Sequence, residues 1–122
     1  MSIFVGKSGL RTQYVEAVAA DLNTATSASN AFCFARVEQP CRIGLLANST
    51  SADIVILVCH PDNDPSVEDN RFEFIELPAN TPLNLDTSFG MNLSVDPGTW
   101  FFAFVSRGTV NATEKLRAFF WG

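Results

Sequence analysis

Short segments with the apolar pattern of β-strands follow one another from Ala31 onward, with turn residues between them. Residues 83–86 and 91–96 alternate apolar and polar side chains, which is the pattern of a strand with one buried face. Residues 54–59 and 100–105 are instead apolar on both faces. That composition is typical of strands inside a sheet that is covered on both sides, and another subunit is one candidate for a covering layer.

The segment Phe72–Leu77 breaks its alternation at Phe74 and Ile75, where two large apolar residues are adjacent. A β-bulge adds one residue to one strand of a pair and so shifts which side chains share a face. The sequence therefore predicts a bulge at this point, which lets both side chains face the core.

Turn residues separate the predicted strands, and the clearest turn is Asp96-Pro97-Gly98. Proline presets φ at the first corner of such a turn, and glycine accepts positive φ at the next. The chain then ends in four residues without a polar tail, Phe119-Phe120-Trp121-Gly122. Such an apolar end predicts a closing strand that is packed in the core or docked on a partner.

The first thirty residues have a different pattern. The apolar residues between Tyr14 and Leu22 have helical spacing, whereas Gln13, Val15 and Ala17 alternate as in a strand. Both helix and strand therefore remain open for this stretch, residues 10–22. The next stretch, residues 23–30, consists of Thr, Ser, Ala and Asn, so we expect a loop or an extended arm there.

About eight strand segments with turn signals roughly every eight to twelve residues are typical of antiparallel sandwiches and barrels. The predicted fold class is all-β, an antiparallel β-sandwich, of which a jelly roll is one form, with an N-terminal arm or short helix. The predicted organisation is an N-terminal arm or linker segment over residues 1–30, followed by a β-sandwich domain over residues 31–122. At 122 residues the chain has room for a single such domain.

Composition narrows the function classes. Hydrophobic residues make up 47% of the chain and charged residues 17%, which leaves few charges to cover a monomer and suggests that some surface faces a partner. Thirteen acidic residues against eight basic ones argue against nucleic-acid binding. We see no secretory signal and no apolar run long enough for a membrane span, so we expect a soluble protein made in a cytosol, without membrane contact.

The three cysteines, Cys33, Cys41 and Cys59, lie in or beside strand segments and are odd in number. Buried thiols are therefore expected rather than a disulfide framework. His60 follows Cys59 directly, but a zinc site needs further ligands at a recognisable spacing. Adjacent strand residues also point to opposite faces, so this pair cannot act as nucleophile and base. We expect His60 to be a polar residue at a strand end.

An acidic segment follows His60. It holds four carboxylates within residues 62–69, those of Asp62, Asp64, Glu68 and Asp69. The segment lacks the glycine and the terminal glutamate of an EF-hand loop. We expect a solvated hairpin loop, with weak calcium binding as the alternative.

Other motifs have simple explanations. Trp100, Phe102 and Phe104 share one strand face, where a sandwich core is favoured over a sugar-binding platform. Gly6-Lys7-Ser8 is similar to the end of a phosphate loop but lacks its first glycine. Glycosylation-type triplets begin at Asn48, Asn92 and Asn111. Turn composition accounts for them. No catalytic, cofactor-binding or metal-binding residue is predicted.

Four segments together carry a resemblance: the Asn-rich turn 44–50, the strand 53–59, the stretch 75–85 with its Ile-Glu-Leu-Pro-Ala start, and the stretch 93–100 with its Asp-Pro-Gly turn. They resemble small β-sandwich virion proteins of tailed bacteriophages, in which a strand of this form precedes a short capping strand and a Pro-Gly turn into the last hairpin. The resemblance covers about residues 43 to 122. The group includes head-decoration (cement) proteins, tail proteins and fibre domains.

The resemblance implies a structural virion protein on the capsid surface, synthesised in the host cytoplasm. Its partners would be the major capsid protein and further copies of itself, with a trimer favoured because icosahedral shells offer threefold positions. The alternatives are a phage tail or fibre module, or a carbohydrate-binding β-sandwich module. We do not expect an enzyme, because no paired acids or activated nucleophile are evident.

Overall fold

A computed structural model describes residues 3–5, 13–38, 41–84 and 93–121. Within these ranges it has ten strands and two short helical turns. The strands are β1 Ile3–Val5, β2 Gln13–Val18, β3 Phe32–Val37, β4 Cys41–Asn48, β5 Asp53–Cys59, β6 Phe72–Leu77, β7 Thr81–Asn84, β8 Leu93–Val95, β9 Trp100–Arg107 and β10 Lys115–Trp121. Helix α1 spans Ala19–Leu22, and a 3₁₀ turn spans Glu68–Asn70.

The strands form two sheets. The first sheet has the order β1-β3-β9-β5-β6, and the second has the order β2-β10-β4-β7, with β8 also paired to β4. All pairs are antiparallel except β1 with β3. The predicted all-β antiparallel sandwich is confirmed.

Strand pairing follows a nested pattern from the chain ends inward. From β2 onward, β2 pairs with β10, β3 with β9, β4 with β7 and β8, and β5 with β6. A long antiparallel hairpin that rolls up into two facing sheets has this pairing, which is the connectivity of a jelly roll. The last strand therefore lies inside the second sheet, between β2 and β4.

The core lies between the two sheets and is lined by alternate residues of facing strands. Its largest fully buried side chains include Phe34, Leu46, Ile54, Ile56 and Phe120. The Phe120 ring packs edge-on against Phe101, with 5.4 Å between ring centroids. The predicted closing strand at the C-terminus is thus packed in the core.

The predicted bulge in β6 is confirmed. Ile56 pairs with Ile75 and Leu57 pairs with Glu73, so Phe74 is the extra residue. Both Phe74 and Ile75 are half-buried and pack against the main core. The adjacent pair of large apolar residues was therefore a correct local signal.

The Asp96-Pro97-Gly98 turn also forms as predicted. Gly98 has φ +91°, and the Thr99 N–H donates to the Asp96 carbonyl at 3.2 Å. A Cβ atom at Gly98 would lie 2.8 Å from the Pro61 Cβ, so a second constraint requires glycine here. The turn holds the start of β9 against the loop that follows β5.

Two predicted strands reach the limits of the described residues. The alternation at 91–96 corresponds to β8, Leu93–Val95, and the alternation at 83–86 overlaps the end of β7, Thr81–Asn84. Residues 85–92 lie outside the described part of the chain.

The N-terminal segment contributes two strands to the sandwich: β1 pairs with β3 at the edge of the first sheet, and β2 begins at Gln13. β2 pairs with β10 over its whole length, and Val15 and Ala17 are each 1% exposed. The strand interpretation is therefore correct for residues 13–18, and α1 adds one turn of helix. Residues 13–22, which the sequence placed in the segment 1–30, belong to the sandwich because β2 supplies an edge strand of the second sheet. The loop predicted over residues 23–30 is present.

Candidate functional site

The outer face of the first sheet is covered by the chain's own loops. A second buried cluster on this face includes Val55, Leu57, Cys59 and Phe102. Ala28 and Ala31, from the loop before β3, pack against it. Within the described residues the strands that are apolar on both faces thus find their second covering layer in this chain, and another subunit is not needed for it.

This arrangement corrects the expectation for Trp100, Phe102 and Phe104. They do share one face of β9, but it is the outer face, opposite the side of Phe101 and Ala103 that lines the sandwich core. Alternation predicts which residues share a face, but it cannot say which face meets the other sheet. The local sequence of β9 does not show that loops distant in the chain pack over its outer face.

Arg71 holds that cover in place. Its guanidinium carbon lies 4.4 Å from the centroid of the Phe102 ring. Its Nε donates to the Pro65 carbonyl at 2.9 Å, and its Nη1 donates to the Ala28 carbonyl at 2.7 Å. One side chain therefore joins the loop before β3 to the loop before β6. A planar guanidinium combines ring stacking with several donors, which an ammonium group does not. Sequence reasoning missed this role.

The cysteine and histidine candidates do not form a reactive pair. Cys59 is 0% exposed, and burial raises the pKa of its thiol. His60 is exposed, and its Nδ1 accepts the N–H of Asp62 at 3.2 Å. Cys33 is half-buried. The expected burial is thus found for Cys59, and His60 is a polar residue at the end of β5 as predicted. Cys41 lies in β4, but the structure does not describe its side chain.

The acidic segment is a structured loop rather than a cage of carboxylates. Asp64 Oδ1 accepts the Ser66 hydroxyl at 2.7 Å and the Ser66 N–H at 2.9 Å, and the hydroxyl bond, followed by the N–H bond, lowers the pKa of Asp64. Asn70 Nδ2 donates to the Asp64 carbonyl at 3.0 Å. Among the described residues, no group of three or more His, Cys, Asp or Glu side chains converges on a point that could hold a metal ion.

Asn48 is a buried polar hub. It is 1% exposed, and its Nδ2 donates to the carbonyls of Ala52 at 2.8 Å, Leu77 at 3.1 Å and Pro78 at 3.1 Å. Its Oδ1 accepts the Thr50 hydroxyl at 2.6 Å and the Thr50 N–H at 3.1 Å. The triplet that begins at Asn48 thus has a structural reason that turn composition alone did not supply.

Glu114 links two turns at the protein surface through hydrogen bonds of its carboxylate. Its Oε1 accepts the N–H groups of Asn111 at 2.8 Å and Ser51 at 3.0 Å, and its Oε2 accepts the Ser51 hydroxyl at 2.8 Å. The Asn111 N–H bond, followed by the Ser51 bonds, lowers the pKa of Glu114. This carboxylate ties the turn after β4 to the turn before β10.

We therefore expect Glu114 to contribute to acid sensitivity. A carboxylate whose pKa is lowered by folding stabilises the native state above its unfolded pKa, and that contribution is lost as pH falls through the folded pKa. Urea unfolding across an acidic pH series should show a smaller decrease in stability for Glu114→Gln than for the wild type. Glu73→Gln, which removes an exposed carboxylate from β6, is the control and should follow the wild type. Identical profiles for all three proteins would contradict this role.

The outer face of the second sheet differs from that of the first, because none of the described loops packs over it as the loop before β3 packs over the first sheet. We define it as two rows across β2, β10, β4 and β7. One row places Tyr14, Phe119 and Leu45 side by side, and the next places Glu16, Arg117, Ala47 and Pro82 side by side. Tyr14 is 45% exposed, Arg117 is exposed, and Phe119 and Leu45 are half-buried.

Tyr14 and Glu16 organise the β2 side of this face. The Tyr14 hydroxyl donates to Glu16 Oε2 at 2.5 Å, and Lys115 Nζ donates to Glu16 Oε1 at 3.2 Å. The Tyr14 hydrogen bond, followed by the Lys115 hydrogen bond, lowers the pKa of Glu16. Partial burial and the Glu16 bond raise the pKa of Tyr14. The Tyr14 ring lies 5.0 Å from the Phe119 ring. The face therefore presents an aromatic pair beside fixed charges.

Two sequence candidates fall outside the described residues, namely Gly6-Lys7-Ser8 and the triplet at Asn92. Of residues 1–12, only β1 is described, and it is a strand of the first sheet. No helix among the described residues has the length and apolar character to cross a membrane.

Comparison of the chain with protein-family models, curated proteins and solved structures gives no match.

Proposed function

We propose that this protein is a structural virion protein, a capsid decoration (cement) protein that attaches to the assembled head of a tailed phage and stabilises it. The partners are the major capsid protein and further copies of this chain. The sequence resemblance motivates the proposal, and a jelly-roll sandwich with a broad outer face on its second sheet is compatible with a binding role.

One observation carries the proposal: the two outer faces differ. The first sheet is covered by loops that Arg71 holds together, whereas the second sheet exposes Tyr14 and Arg117 beside Phe119. Tyrosine, phenylalanine and arginine are enriched in protein interfaces. The second sheet's outer face is therefore the surface that we assign to the capsid contact.

The carbohydrate-binding alternative has less support. It requires the faces of Trp100, Phe102 and Phe104 to be open to a sugar ring. The Arg71 guanidinium lies over Phe102, and that of Arg36 lies 5.1 Å from the centroid of the Trp100 ring. Cations already occupy positions that a sugar would need.

The test uses purified protein and bare, expanded heads of the phage that encodes this chain. The wild type should co-sediment with heads and raise the temperature at which they break open. Arg117→Glu should weaken attachment about tenfold or more, because reversing a charge inside an interface costs binding free energy twice, through lost attraction and added repulsion.

Arg107→Glu is the matched control, since Arg107 is also exposed but lies at the end of β9 in the first sheet. It should bind as the wild type does. Failure of the wild type to bind heads would overturn the decoration role, and equal binding by the two variants would overturn the assignment of the face. Binding to a glycan array instead would favour the carbohydrate-binding module.

A further inference from the structure

The edges of the two sheets are protected to different degrees. β6 carries a bulge at Phe74 and exposed Glu73 and Glu76, and β7 contains Pro82 and has four residues. β1 has three residues. Bulges, charges, proline and short length are the means by which proteins keep edge strands from pairing with other chains.

β2 is the least protected of these edges, because Glu16 is its one charged residue and it has no bulge. Its six residues pair with β10 in unbroken register, and it contains no proline. Within the described residues, its backbone makes no hydrogen bond on the side away from β10. A long, regular and open edge is a template for another strand.

We propose that β2 pairs antiparallel with β2 of a second copy, across a two-fold axis at Val15, and so joins the two second sheets edge to edge. This inference goes beyond the proposed function and does not depend on it. An isologous pairing of this kind uses the same strand from both subunits, so each contact occurs twice.

Charge and the alternation of side chains select the register. Opposite residues of an antiparallel pair share a face, so a symmetric pairing that keeps Val15 on the inner side and pairs at least three residues of β2 has its axis at Tyr14, Val15, Glu16 or Ala17. An axis at Glu16 places two carboxylates directly opposite each other, which is destabilising. An axis at Tyr14 pairs only residues 13–15, and an axis at Ala17 pairs only residues 16–18, because β2 spans Gln13–Val18.

The axis at Val15 satisfies both requirements. It pairs residues 13–17 and sets each Tyr14 opposite the partner's Glu16. Tyr14 already donates to Glu16 of its own chain at 2.5 Å, so the donor and acceptor have compatible reach. The same carboxylate keeps its bond to Lys115. Val15, which is 1% exposed, stays on the inner face, so the apolar layer between the sheets is not interrupted at the axis.

The pair buries less surface than the roughly 800 Å² per partner of a stable complex. The dimer should therefore be weak in solution and form at high concentration, and copies concentrated on a common surface would pair more readily.

The test compares the full-length wild type with Tyr14→Glu and Tyr14→Lys by sedimentation equilibrium, at concentrations up to about millimolar. Both variants lose the contact with the Phe119 ring, so they share that loss and differ in the sign of the new charge. Tyr14→Glu should weaken the dimer roughly tenfold, because symmetry places the repulsion with Glu16 twice. Tyr14→Lys should keep or strengthen it.

Hydrogen exchange gives an independent reading. Amides of residues 13–17 that face away from β10 should become more protected as the wild-type concentration rises, and those in Tyr14→Glu should change less. A monomer at all concentrations, a trimer, or equal affinity for the two variants would each overturn the pairing. A trimer would support the threefold association expected from the sequence. Dimer formation and head binding are separate measurements, so failure of one leaves the other interpretable.

Discussion

Replacement of Asn48 with alanine will lower the free energy of unfolding by about 3 kcal/mol or more. The substitution removes the side-chain amide that donates hydrogen bonds to three carbonyl oxygens, those of Ala52, Leu77 and Pro78. It also removes the oxygen that accepts a hydrogen bond from the Thr50 hydroxyl. A buried polar group left without a partner costs about 1–3 kcal/mol, and water cannot readily replace a side chain that is 1% exposed. Urea unfolding, followed by far-ultraviolet circular dichroism, measures the change.

Asn111→Ala is the matched control, because Asn111 begins a triplet of the same form in an exposed turn. We expect its effect to stay within about 0.5 kcal/mol, as for most surface substitutions. Asn48→Asp adds a second comparison. It keeps an acceptor for Thr50 but sets a carboxylate against three carbonyl oxygens, so it should also be strongly destabilising. A loss below about 1 kcal/mol in Asn48→Ala would show that Asn48 is not the hub of this turn.

Replacement of Arg71 with alanine will cost about 2–3 kcal/mol and will loosen the cover of the first sheet. The change removes charged hydrogen bonds to the Pro65 and Ala28 carbonyls, each of them among the stronger kinds of hydrogen bond. It also removes the cation from the Phe102 ring, a contact that contributes about 0.5–1 kcal/mol. Urea unfolding measures the total, and peptide-resolved alkylation of Cys59 measures the local opening.

Two further variants test whether the effect of Arg71→Ala comes from the loss of the guanidinium group at this position. Arg71→Lys keeps the charge but not the planar fork, so it should recover less than half of the lost stability. Arg107→Ala removes an exposed arginine at the far end of β9 and should leave both stability and Cys59 alkylation near wild type. If Cys59 in Arg71→Ala stays as slow to alkylate as in the wild type, the guanidinium does not hold the two loops over the sheet.

The local pattern of the sequence was sufficient for the strand-rich character after Ala31 and for several details within those strands, but it did not predict β1 and left β2 open between helix and strand. Period-two alternation identifies which residues of a strand share a face, and the adjacent Phe74 and Ile75 specified the bulge in β6. Proline followed by glycine defined the turn at Asp96-Pro97-Gly98 in the same way. These features depend on a few neighbouring residues, so the sequence determines them directly.

The tertiary structure alone decided what each face meets. Trp100 and Phe101 are equally apolar neighbours, yet one lies under a cation on the outer face and the other lies in the core between the sheets. Arg71 and Ala28 are distant in sequence and meet only because β5, β6 and β9 bring their loops together. Asn48 likewise acquires its role from carbonyls at the end of β6. Such contacts depend on strand pairing over long sequence separations, which local periodicity does not encode.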